Sequence, residues 1–405
     1  MNPAFQASPM VSGPRKSVAD LRLFARIGWL AWRSYKSLPR TATALKRLSA
    51  ERTQHQRSSS VKCARFGGRY FWDFYVPGYP SVAFDRFIER ELDRVVPFRD
   101  APPALQIAIL GVTKRCPLRC EHCCEWEALN QPDALSLADL QAMVSRFQAR
   151  GVGQILLTGG EPLQRFDDIL TLLGSAERDT DFWLLTSGCG LTAERAERLA
   201  KAGLTGVSVS LDHCDRDAHD RFRGREGSYA WVERAAANAR NAGLALGLSL
   251  CATRTFISRS NLDRYAQLAR ELGAGFIQIL EPKAVGRYAG QDVALDRDQI
   301  SLLEEFTLRL NFDPGSRDMP TVAYVESSTR RTRCVAAGDR YAYVDPDGHL
   351  HACPFCRTSV GHVLTGALDT GLDALREHGC RAASLRPGRP GTDTPSAGAG
   401  IGLGW

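Results

Sequence analysis

From residue 104 to residue 290 the chain alternates two hydrophobic rhythms. Short, nearly continuous apolar runs at 105–112, 155–158, 182–186, 206–211, 244–252 and 276–280 have the length of buried strands. Between them, 136–150, about 164–175, 191–202, 229–242 and 261–272 repeat apolar residues at three- and four-residue steps, which is the helical period. Ser136 can cap the first of these helices and Gly151 follows its end. Six strands alternating with helices over roughly 185 residues predict an α/β fold with a parallel sheet, fitting a partial (β/α)6 TIM-type barrel. In that architecture functional groups collect at the C-terminal ends of the strands.

The flanks follow other rules. Residues 1–60 form a basic arm, of which 1–19 hold Pro3, Pro9, Gly13 and Pro14 among few large apolar groups and read as disordered. Leu23, Phe24, Ile27, Leu30 and Ala31 then recur at helical steps, with Arg22, Arg26, Arg33 and Lys36 between them and Trp29 and Trp32 near the polar boundary. This is a helical extension of basic amphipathic type, able to make a peripheral membrane contact or to pack on the barrel or a second subunit. Residues 61–103 are aromatic, with Phe66, Tyr70, Phe71, Trp72 and Phe74 among glycines and prolines. They predict a hairpin followed by a helix at 81–95, an accessory unit covering the bottom or the mouth of the barrel. Residues 291–333 read as a connector with one helix at 295–310, and 334–385 as a small cysteine-rich hairpin domain. Residues 386–405, dense in Pro, Gly, Ser and Thr, read as a disordered tail.

Composition adds limits. With 405 residues, 44% apolar and 24% charged, the chain suits a globular protein of two or three domains. The net charge of +7 is uneven, because residues 1–60 hold eleven Lys or Arg against Asp20 and Glu51, leaving the other 345 near −2. Nucleic acid is therefore not an expected partner of the body. No apolar run approaches the ~18 residues of a membrane span. Twelve cysteines without a secretory signal argue for metal ligation in a reducing compartment, so a cytoplasmic protein is expected.

The cysteines bring in the chemistry. Cys116, Cys120 and Cys123 fall in the spacing C-x3-C-x2-C just after the first strand. Thiolates are soft ligands suited to iron–sulfur or zinc centres, and three of them leave one position of a four-ligand centre open. A zinc knuckle completed by His122 is the competing reading, and Cys124, adjoining Cys123, reads as a bystander. Downstream, Cys334-x13-Gly348-x4-Cys353 encloses the turn sequence Pro346-Asp347-Gly348. Cys353 and Cys356 form a C-x2-C pair, and Cys380 is the last cysteine of the chain. These four suit one cluster or a zinc ribbon. Cys63, Cys189, Cys214 and Cys251 have no metal spacing.

The C-x3-C-x2-C loop, with His122 before its last cysteine, resembles that of the radical S-adenosylmethionine (SAM) enzymes. Other likenesses follow in chain order. Gly159-Gly160-Glu161-Pro162 is similar to the family's GGEP motif, whose glycines admit close backbone approach and whose Glu can meet the SAM ammonium group. Thr186-Ser187-Gly188 stands where relatives carry Thr-Asn-Gly, and residues 208–212 resemble the ribose motif, with Ser210 and Asp212 on one strand face. The run from His219 to Tyr229 resembles that of members with auxiliary clusters, Arg223 being a candidate partner of the SAM carboxylate. Residues 334–356 resemble the start of a SPASM or twitch extension.

The resemblance implies that Cys116, Cys120 and Cys123 hold a catalytic [4Fe-4S] cluster whose fourth iron is chelated by SAM. Reductive cleavage of SAM would give a 5'-deoxyadenosyl radical that takes hydrogen from a peptide or small-molecule substrate. Gly159, Gly160, Glu161, Pro162, Ser187, Ser210 and Asp212 are then the SAM-binding candidates. Cys334, Cys353, Cys356 and Cys380 would ligate an auxiliary [4Fe-4S] cluster, and a reductant such as flavodoxin or ferredoxin is implied. The alternative from another class is a non-catalytic metal-binding protein, regulatory or electron-carrying, on the same barrel.

Overall fold

The strand and helix rhythms of the sequence become one continuous sheet with helices packed on its outer face. The computed structural model describes residues 8–55, 60–100, 105–331 and 338–378. An N-terminal layer holds β1 (Met10–Ser12), α1 (Gly13–Tyr35), α2 (Leu38–His55), β2 (Lys62–Phe66), β3 (Arg69–Phe71) and α3 (Val82–Val95). The alternating core follows as β4 (Ile107–Gly111), α4 (Leu137–Ala149), β5 (Gln154–Thr158), α5 (Phe166–Ser175), β6 (Asp181–Thr186) and α6 (Ala193–Ala202). It continues with β7 (Leu204–Ser210), α7 (Arg216–Arg223), α8 (Ser228–Asn241), β8 (Ala245–Cys251), α9 (Arg259–Glu271) and β9 (Phe276–Leu280). After it come α10 (Arg297–Phe312), β10 (Thr321–Ala323), α11 (Val325–Arg331), β11 (Tyr341–Val344), β12 (His349–His351), β13 (Ser359–His362) and α12 (Leu368–His378).

The main sheet runs in the order β10-β9-β8-β7-β6-β5-β4-β11-β12-β13. The strands from β10 to β11 are parallel, and β12 and β13 are antiparallel. Two parallel strands are therefore added to the six expected. β10 lies inside the expected connector, and β11 extends the sheet at its other side. With three and four residues, neither is long enough to stand out as an apolar run.

The sheet curls. β6 and β9 are three strands apart, ~14 Å in a flat sheet at ~4.8 Å per strand, yet the rings of Trp183 and Phe276 have centroids 6.2 Å apart. An open trough results, with alternate residues facing inward: Ser210 is in register with Ser249, and Ser249 with Gln278. Outside, side chains such as Ile155, Leu184, Val207 and Ile277 pack on Phe147 of α4, Val232 of α8 and Tyr265 of α9 in one buried cluster.

The aromatic segment forms the expected hairpin and helix, and it plugs the N-terminal end of the trough. Phe71 and Phe74 lie 6.4 and 4.8 Å from Trp183 and 6.3 and 5.9 Å from Phe276, all within one buried cluster. Ser81 caps α3, its hydroxyl accepting from Phe84 N at 3.0 Å. Phe84, Phe87, Ile88 and Leu92 then pack against Leu23, Ile27 and Leu30 of α1. Residues 13–19, expected to be disordered, are the first turns of α1. Pro14 suits a helix start, where its missing N–H is not needed, and Ala19 is buried. Residues 1–7 and the expected disordered tail at 386–405 lie outside the described residues. Among the described residues, no helix is long and apolar enough to cross a membrane.

Candidate functional site

The cysteine loop leaves the C-terminal end of β4, and short polar side chains fix its lead-in. Asp133 accepts from Thr113 Oγ1 at 2.9 Å, from Lys114 N at 2.7 Å and from Arg115 Nε at 3.0 Å. Asn130 sits at φ +61°, accepts from Cys116 N at 2.8 Å and donates to Cys116 O at 3.1 Å. Further on, Arg119 N donates to Arg223 O at 3.1 Å, Glu121 N to Phe222 O at 3.0 Å, and Arg287 N to Cys123 O at 3.0 Å. The segment from His219 to Tyr229 thus supports the loop with its backbone. Asp220 holds that segment together by accepting from Gly227 N, Ser228 Oγ and Tyr229 N.

Cys116, Cys120 and Cys123 are free thiols, Cys120 buried and the others half-buried. Burial pushes Cys116 up to about 12 and Cys123 up to about 11, and each also feels the charge of its neighbours in the trio. Thiols must give up their protons to ligate, so a metal bound here would have to offset the burial that holds Cys116 and Cys123 protonated. Among the described residues, no three His, Cys, Asp or Glu converge as a single ion requires. Zinc needs its ligands within ~2.0–2.3 Å of one point, whereas an iron–sulfur cubane spreads its thiolates over separate irons. Three thiols in one short loop are the donor type of the second. His122 stacks on Phe222, with centroids 4.9 Å apart at 17°. Burial lowers its pKa to about 4, so it stays neutral. Burial raises the Cys124 thiol well above its ordinary value, and the charges of Glu125 and Cys123 raise it further.

A cation reaches the trio. Arg223 Nη1 lies 3.6 Å from Cys120 Sγ, and its Nε donates to Asp212 Oδ2 at 2.5 Å. Asp212 Oδ1 accepts from Cys251 N at 2.9 Å, so both oxygens of this candidate ribose ligand are engaged by the chain. Burial opposes the Asp212 charge, but Arg223 holds the carboxyl below its usual range. Ser210 faces the trough above Ser208, whose buried Oγ has no partner.

At the GGEP motif, the close approach that glycine permits is made to the cysteine loop's own lead-in. A Cβ on Gly159, at φ +136°, would stand 2.4 Å from Thr113 O, and one on Gly160 2.4 Å from Arg115 O. Gly160 N donates to Thr113 O at 2.7 Å and Glu161 N to Arg115 O at 2.8 Å. The buried Glu161 carboxylate accepts from Leu163 N at 3.1 Å, Thr186 Oγ1 at 2.7 Å, Ser187 N at 2.8 Å and Ser187 Oγ at 2.5 Å. It latches the end of β5 to the end of β6, and Pro162 opens the short turn that follows it. Burial raises the Glu161 pKa despite these bonds.

In the C-terminal hairpin, Cys353 is buried and Cys356 half-buried, joined by a turn in which Cys356 N donates to Cys353 O at 3.0 Å. Cys334 and Cys380 lie outside the described residues. Glu125 connects this hairpin to the cysteine loop, accepting at Oε1 from Arg357 Nη1 at 2.8 Å and from Tyr343 OH at 2.9 Å. Sequence reasoning singled out none of Asn130, Asp133, Glu125 or Arg287. For Asn130 and Asp133 a signal existed, since both residue types favour turns. For Glu125 and Arg287 there was none.

The radical SAM superfamily profile matches residues 110–272. The PqqA peptide cyclase of Gluconobacter oxydans (strain 621H) is 31% identical over 261 residues, covering 62% of this chain and 70% of that protein. The AdoMet-dependent heme synthase of Nitratidesulfovibrio vulgaris is 27% identical over 217 residues, 53% of this chain. The chain spans only 56% of that relative's length. Among solved structures, Streptococcus suis SuiB bound to S-adenosylmethionine superposes with a TM-score of 0.55 at 16% identity, over 71% of this chain and 69% of that one. That superposition concerns the α/β fold with its mostly parallel sheet. With the profile spanning the cysteine loop and the GGEP segment, and a relative aligned over 70% of its length, the chain belongs to the radical SAM superfamily.

Proposed function

We propose that the protein is an enzyme that cleaves SAM reductively at Cys116, Cys120 and Cys123 and abstracts hydrogen from a substrate held in the trough. The bound [4Fe-4S] cluster would supply the electron and the open iron position for SAM, and SAM the 5'-deoxyadenosyl radical. The chain's own part is to hold three thiolates at one end of the trough, exclude water from them, and place Arg223 against Cys120. The observation that carries this reading is the three-thiol loop, held at Cys116 by the Asn130 side chain and further on by backbone hydrogen bonds to Phe222, Arg223 and Arg287. Gly159, Gly160, Glu161, Pro162, Ser187 and Ser210 border the same end of the trough and are the groups offered to SAM. Asp212 acts there through Arg223.

The substrate class we favour is a peptide, because the PqqA peptide cyclase is matched at 31% identity over most of its length. A small molecule is the second choice, heme being what the other relative is named for making. Cys353 and Cys356, with Cys334 and Cys380, would hold an auxiliary [4Fe-4S] cluster in a SPASM- or twitch-like extension, and a flavodoxin or ferredoxin would deliver electrons. The test is anaerobic reconstitution with iron and sulfide, then dithionite and SAM. Release of 5'-deoxyadenosine, abolished in Cys120→Ala, supports the proposal. Iron retained without product would favour the regulatory or electron-carrying alternative, and a zinc-loaded protein would overturn both cluster assignments.

A further inference from the structure

The N-terminal layer carries a surface that the proposed chemistry does not use. Among the described residues seven large apolar side chains are exposed, and six of them, Val18, Leu21, Phe24, Trp29, Trp32 and Leu38, lie between residues 18 and 38. Val18, Leu21, Ala25, Trp29 and Trp32 follow steps of three and four, so they form one stripe along α1. The opposite face of α1, with Leu23, Ile27 and Leu30, is already buried on α3. Chance scatter of surface apolar residues does not produce such a stripe.

Charge says what covers it. Arg15, Arg22, Arg26 and Arg33, at steps of seven, four and seven, form a second row along one edge of the stripe. Residues 8–55 carry ten Lys or Arg against Asp20 and Glu51 alone. Arg26 and Arg33 pair with Asp85 and Glu89 and stand 4.3 and 4.7 Å from the Trp29 ring centroid, fixing that indole at the boundary between the two rows. Arg15, Arg22 and Lys36 remain exposed. A long apolar stripe with boundary tryptophans and a cationic edge is complementary to an anionic lipid surface.

We infer that the outer face of α1 docks on an anionic bilayer, with Leu21, Trp29 and Trp32 entering the headgroup boundary. The orientation follows from the fold. α1 packs on α3, and α3 lies under the N-terminal ends of the strands, its Phe87 Cβ close to the Gly153 position that precedes β5. The cysteine loop leaves the opposite, C-terminal ends, so docking turns the mouth of the trough away from the lipid. This inference does not rest on the identity of the reaction.

The experiment uses the anaerobically purified full chain with sucrose-loaded vesicles of phosphatidylcholine, alone or with phosphatidylglycerol. The wild type is expected to sediment with the anionic vesicles and to be released by high salt. Leu21→Glu/Trp32→Glu, two exposed positions whose replacement leaves the core intact, is expected to lower the bound fraction at least about tenfold. Arg15→Glu/Arg22→Glu should lower binding to the anionic vesicles only. Wild type remaining in the supernatant, or unchanged binding of the Leu21/Trp32 variant, overturns the inference. So does a wild-type dimer that this variant converts to monomer without any vesicle binding, since a second copy would then cover the stripe.

Discussion

Arg223 touches Cys120, with Nη1 3.6 Å from Sγ, while its other edge is locked to Asp212. A buried guanidinium donating to a ligand sulfur stabilises extra negative charge there and raises the reduction potential of what that sulfur holds. Arg223→Gln is therefore expected to make the loop's cluster harder to reduce, seen as a more negative midpoint in an EPR-monitored titration. The same change strands Asp212 and should cost about 3–5 kcal/mol of stability. Adding Asp212→Asn should recover part of the stability and none of the potential.

Glu161 takes four hydrogen bonds, two of them from backbone N–H groups of Leu163 and Ser187. An amide in its place would turn a donor toward at least one of these donors. Glu161→Gln is expected to lose about 1–3 kcal/mol in denaturant melts and to slow 5'-deoxyadenosine release. Full activity at unchanged stability would show that the latch between β5 and β6 is dispensable.

The plug can be tested apart from the chemistry. Phe74 is fully buried, with its ring 4.8 Å from that of Trp183. Phe74→Ala should leave a cavity costing about 3–5 kcal/mol, lowering the melting temperature while iron binding at the cysteine loop persists. A melting temperature within error of the wild type would contradict the packing described here.

Adjacent cysteines should behave oppositely. Cys123→Ala is expected to lose the iron of the proposed cluster and all SAM cleavage, whereas Cys124→Ala, which stands outside the C-x3-C-x2-C spacing, should keep both. Iron content by colorimetry and product by chromatography read the contrast. Equal loss in the two variants would remove the distinction.

Lys62 gives a pH signature far from any metal ligand. Its ammonium is buried and donates to Leu310 O at 2.6 Å and Ser316 O at 2.8 Å, and burial lowers its pKa to about 7. The unfolded chain holds that proton up to about pH 10.4. Between these values the unfolded state binds more protons, so this group makes stability rise with pH from about 7 to about 10. Lys62→Met should flatten that part of the wild-type stability curve, and an identical slope in both proteins would refute the assignment.

Much of this was legible in the linear chain because it depends on local rules. Apolar rhythm located β4 to β9 and five of the six helices among them, missing the short and strongly charged α7. Ser136 and Ser81 stand where helices begin, and three closely spaced cysteines mark a metal loop whatever surrounds them. Contacts distant in sequence were not legible. β10 and β11 are strands because the edges of an existing sheet offer them hydrogen bonds, not because three or four residues carry a pattern. Asp212 reads from sequence as a carboxylate offered to ribose beside Ser210, and only the folded chain brings Arg223 and the Cys251 amide to it. The glycines of the GGEP motif announce a close approach, but the partner, the backbone at 113–115, is some forty-five residues away in the chain. Local periodicity and spacing are properties of neighbours along the polymer, so the sequence by itself determined the architecture and the thiol trio. Which charges are paired, and which face of α1 stays uncovered, depends on what folding places beside them, and that the tertiary structure alone decided.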